Sequence, residues 1–71
     1  MVCRMTVESR IGGTLAALRR DARLSQRELS VLAGTPLATV VGVERGTIEP
    51  PARLVARLTA AIAIGLRAEP Q

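Results

Sequence analysis

Apolar residues recur at helical spacing through most of the chain, and no alternating strand-type run competes with them. Val7, Ile11, Leu15 and Leu18 define the first stripe. With Thr6 as N-cap they predict a helix from about Val7 to Ala22. Gly12 and Gly13 weaken it by about 1 kcal/mol each relative to alanine. A short link, Arg23-Leu24, leads into Ser25-Gln26-Arg27-Glu28, whose spacing is that of a capping box. The second helix then turns Leu29 and Leu32 inward and stops at Ala33-Gly34, where glycine accepts the left-handed conformation. One residue later Thr35-Pro36 opens a third helix, Thr35 as cap and Pro36 in the first turn. It runs to Arg45 with Val40 and Val43 inward, and Gly46 ends it. After a loop over Thr47–Pro50, a fourth helix starts at Pro51 with Leu54, Val55, Leu58, Ala61 and Ile62 inward. Ile64-Gly65-Leu66 adds a further turn, and Glu69-Pro70-Gln71 frays.

These elements predict an all-α fold, a compact bundle of four to five helices. With 71 residues there is room for one small domain over 1–71, its core at about 7–66 with frayed ends. Helices two and three are joined through Ala33-Gly34-Thr35. A turn this tight crosses two helices at roughly 90–120°, as in a helix-turn-helix. A helical hairpin within a small bundle is the plain alternative. Ser30 suits a place where the third helix passes close.

Composition narrows the chemistry. The chain has no Phe, Trp or Tyr, which disfavours base-stacking platforms for single strands. It has no His and one Cys, so zinc, haem and Cys-His sites and disulfide scaffolds are excluded, and no cofactor is expected. Cys3 reads as an incidental thiol. The acids Glu8, Asp21, Glu28, Glu44, Glu49 and Glu69 suggest no cleft, so an enzyme is not expected. Met1 to Arg10 lacks the apolar core of a secretory signal, and the longest apolar run, Ala60 to Leu66, is too short to span a membrane. A cytoplasmic protein is the expectation. Ten arginines against six acids give +4, a balance suited to a polyanion.

Leu18-Arg19, Leu24-Ser25-Gln26-Arg27-Glu28-Leu29, Ala33-Gly34, Val43-Glu44-Arg45-Gly46 and Pro50 together resemble the Cro/repressor-type (XRE) helix-turn-helix family, over about Ile11 to Ile64. The resemblance implies a lambda-repressor-like DNA-binding domain that acts as a dimer on an operator, with the third helix in the major groove. It makes Gln26 a phosphate ligand that steadies the recognition helix, and Arg19 and Glu44 a structural ion pair. Arg45 and Thr47 fall where backbone contacts are made. Arg27 is a phosphate candidate or a solvated surface charge.

The base-reading positions depart from the family pattern. They hold Leu37, Ala38, Val41 and Gly42, none of which makes the bidentate hydrogen bonds that distinguish base edges. Three accounts stay open. These residues pack on thymine methyls, with Thr39 and Arg45 adding polar contacts and Gly42 permitting close approach. Alternatively the helix binds a protein partner, as an antitoxin-like or regulator subunit would. Or the stripe is buried against the tail or a second copy. Ile62, Ile64 and Leu66 are the expected homodimer contact.

Overall fold

The computed structural model describes the backbone of residues 2–68 and the side chains of residues 11–67. It is all-α: α1 (Val2–Asp21), α2 (Gln26–Ala33), α3 (Leu37–Arg45) and α4 (Ala52–Ala68). α1 and α2 each pack against both α3 and α4. α1 begins well before Val7, so Thr6 lies inside the helix rather than capping it. No glycine or proline stands between Val2 and Ile11 to stop propagation. The expectations for the side chains of Cys3 and Val7, and for the end at Glu69–Gln71, lie outside the described residues.

Three helix ends share one device. After α2, Gly34 adopts φ 62°, its N–H reaches the Val31 carbonyl, and the Thr35 N–H reaches the Ser30 carbonyl. After α3, Gly46 (φ 83°) and Thr47 repeat the pattern on Val43 and Gly42. These are Schellman caps, and glycine fits the left-handed position without cost. After α1 the same position is held by Arg23 at φ 61°, with Leu24 bonding the Arg19 carbonyl. The capping box of α2 is complete: Ser25 Oγ accepts from the Glu28 N–H, and the Glu28 carboxylate accepts from the Ser25 N–H.

Thr35 does not cap α3. Its amide is committed to the end of α2, its hydroxyl donates to the Ala33 carbonyl, and it is buried. Pro36 stands at the N-cap without a side-chain bond, outside the helix rather than in its first turn. α4 begins at Ala52, one residue after the expected Pro51, and runs unbroken through Ile64-Gly65-Leu66.

Leu15, Ala22, Leu29, Ala33, Val40, Val43, Leu58, Ala61 and Ile62 form the core, with Leu24 and Leu54 against it. Ile11, Leu18 and Leu32, expected inward, are exposed. The reason lies in side-chain size. Without aromatic rings to fill space, this core closes by bringing backbones together. A Cβ on Gly12 would run into the Val43 carbonyl oxygen, and one on Gly65 would press on the Leu24 side chain. α1 therefore turns Gly12, Leu15 and Ala16 toward the bundle. Among the described residues no helix is long and apolar enough to cross a membrane.

Candidate nucleic-acid interface

α3 is fixed from behind by a polar cluster. Arg19 Nε and Nη2 donate to the two Glu44 carboxylate oxygens at 2.7 and 3.1 Å, and Arg19 Nη1 donates to the Leu24 carbonyl at 2.8 Å. The pair is largely covered, with 11% and 7% side-chain exposure. Gln26 Nε2 completes the set, donating to Glu44 Oε1 at 3.0 Å. Arg19 comes from α1, Gln26 from the first turn of α2 and Glu44 from the last turn of α3, so the cluster ties three helices where they converge. A two-pronged guanidinium–carboxylate contact fixes orientation as well as distance. The expected ion pair is present. The Gln26 amide, expected on phosphate, is turned to Glu44, and it steadies α3 through that bond.

Ahead of Glu44, α3 is partly uncovered. Leu37 is 37% exposed, Ala38 is exposed, and Thr39 and Val41 are half-buried. Gly42, expected on this exposed face, is instead buried. The Ile48 side chain lies over it, close enough that a Cβ there would collide with it. The Gly42 carbonyl accepts from the amides of Thr47 and Ile48 and from the Thr47 hydroxyl. Gly42 thus offers no backbone to a ligand, and Ile48 occupies that stretch of surface, 38% exposed. Ile48 was invisible to periodicity because it sits in a loop. A usable signal exists, since an apolar contact back onto the last turn commonly accompanies a glycine cap.

Arg45 and Thr47 are exposed at the end of α3, and Arg27 is exposed in the first turn of α2. The α3 N-terminus has no side-chain cap and no acid in its first turn. Its positive dipole end is therefore unneutralised. Ile62, expected at a dimer contact, is 3% exposed and belongs to the core, because it falls on the same side of α4 as Leu58 and Ala61. Ile64 and Leu66 are exposed. Leu24, in the link before α2, and Arg27, Glu28, Val31 and Leu32 on it line a groove of about 390 Å³. No group of three or more potential metal ligands occurs among the described residues.

A family model described as a helix-turn-helix domain matches residues 10–69. No curated protein and no solved structure matches the chain.

Proposed function

The chain belongs to the helix-turn-helix domain family, and from that premise we propose that it is a small DNA-binding transcriptional regulator of the Cro/repressor type. It acts in the cytoplasm by occupying an operator and catalyses nothing. α3 enters the major groove, presenting Leu37, Ala38, Thr39 and Val41. Arg27 and Arg45 contact phosphates on either side, and Gln26 acts through Glu44 to set the angle of α3, while Thr47, expected on the backbone, gives both of its donors to the Gly42 carbonyl. The observation that carries this reading is that the last turn of α3 is tied to α1 and α2 through Glu44, Arg19 and Gln26, while Leu37, Ala38 and Arg45 stay exposed and Val41 half-buried.

The protein works as a dimer through Ile64 and Leu66. Leu24 adjoins that end of α4, packing on Gly65 while lining the α2 groove with Val31 and Leu32. Sedimentation showing monomer at every concentration overturns the dimer.

The test of function is a salt titration on random-sequence duplexes. Affinity falls by orders of magnitude between about 50 and 200 mM salt if phosphate contacts dominate. A duplex affinity insensitive to salt removes the DNA reading. The second reading, a protein-interaction module, is favoured by one observation: no Gln, Asn, Lys or Arg stands among Leu37, Ala38, Thr39 and Val41. Val41→Lys separates the two, preserving or raising duplex affinity in the first and disrupting an apolar protein contact in the second.

A further inference from the structure

We propose that α3 selects its duplex by the C5 methyl groups of pyrimidines, so that thymine and 5-methylcytosine are read and unmethylated cytosine is not. This rests on the DNA-binding reading and names the chemistry of its specificity. Of the side chains that α3 leaves open or half-open, Leu37, Ala38 and Val41 are aliphatic, Thr39 is half-buried and Arg45 stands at the end. Leu37, Ala38 and Val41 carry no donor or acceptor. Ile48 extends the same apolar surface across the place where Gly42 supplies no side chain.

Three polar side chains near this face are already committed inside the protein. The Gln26 amide donates to Glu44, the Thr47 hydroxyl to the Gly42 carbonyl, and the Thr35 hydroxyl to the Ala33 carbonyl. In the major groove the four bases differ by hydrogen-bonding groups and by one apolar feature, the methyl at C5. An aliphatic face distinguishes only the second. Charge favours DNA over an apolar protein groove as the occupant. The one carboxylate on α3, that of Glu44, is largely covered and paired with Arg19, while Arg45 is exposed one residue on.

The test changes the DNA and leaves the protein intact. A site selected from a random double-stranded pool is resynthesised with deoxyuridine for thymidine, which removes only the C5 methyl. Affinity should fall about fourfold per contacted methyl, matching roughly 0.8 kcal/mol for one buried methyl-sized group. Placing 5-methylcytosine at cytosines within the site should raise affinity by a similar factor where α3 can reach. Leu37→Ala should shrink the thymidine-to-deoxyuridine ratio without altering the salt slope, with circular dichroism confirming its helix content. Equal affinity for the thymidine and deoxyuridine sites overturns methyl reading and leaves DNA binding standing. Failure to retain any duplex at low salt overturns both, as does an α3 face that captures protein but no duplex.

Discussion

Replacing Glu44 with alanine tests how α3 is held. The substitution removes both ends of the Arg19 contact and the acceptor for Gln26, leaving the Arg19 guanidinium 11% exposed with only the Leu24 carbonyl for company. Breaking a covered ion pair from one side costs about 3–5 kcal/mol, because the stranded charge is no longer compensated. A chain this short has a total stability of roughly 4–10 kcal/mol at ordinary per-residue values. The variant should therefore melt at least about 12 °C below the parent, at about 4–8 °C per kcal/mol for a domain this small. Far-UV circular dichroism against temperature and urea is the assay, since the chain has no aromatic residue to report by fluorescence. Arg19→Met/Glu44→Leu should recover most of the loss, because an apolar pair avoids burying charge. Gln26→Ala should cost about 1.5 kcal/mol, the lower end for a hydrogen bond to a charged group. A Glu44→Ala loss under about 1 kcal/mol, with no coupling between Arg19 and Glu44 in the double-mutant cycle, would refute the reasoning.

The neighbouring glycines of α1 should respond with opposite signs. Gly13→Ala meets nothing within 4 Å and should gain about 1 kcal/mol of helix propensity, whereas Gly12→Ala should lose about 1–3 kcal/mol against the Val43 carbonyl; urea midpoints decide. Arg27→Ala and Arg45→Ala should each reduce the slope of log affinity against log salt by about 1 without changing sequence preference, and unchanged slopes remove both from the phosphate contacts.

Local chemistry made the start of α2 and the ends of α2 and α3 legible, but not the start of α1 or the cap of α3. The Ser25–Glu28 box and the glycines at 34 and 46 act through neighbouring backbone, so their meaning does not depend on the rest of the fold. The Arg19–Glu44 pair was legible through the family resemblance. Residues whose fate depends on distant contacts were not. Ile11 and Leu18 looked like core because of their helical spacing, yet Gly12 lets α1 approach α3 on the side that carries Leu15 and Ala16. Gln26 carries the same local signature whether its amide meets a phosphate or a carboxylate 18 residues away. Gly42 reads as an open backbone until the loop beyond Gly46 returns Ile48 over it.

The claim that α3 is the DNA-facing element is tested most directly by amide chemical shifts of ¹⁵N-labelled protein titrated with a selected duplex. The account predicts the largest shifts at Leu37–Val41 and Arg45–Thr47, with smaller ones at the start of α2. A duplex that binds while those amides stay in place, the shifts gathering instead on α4, would contradict it.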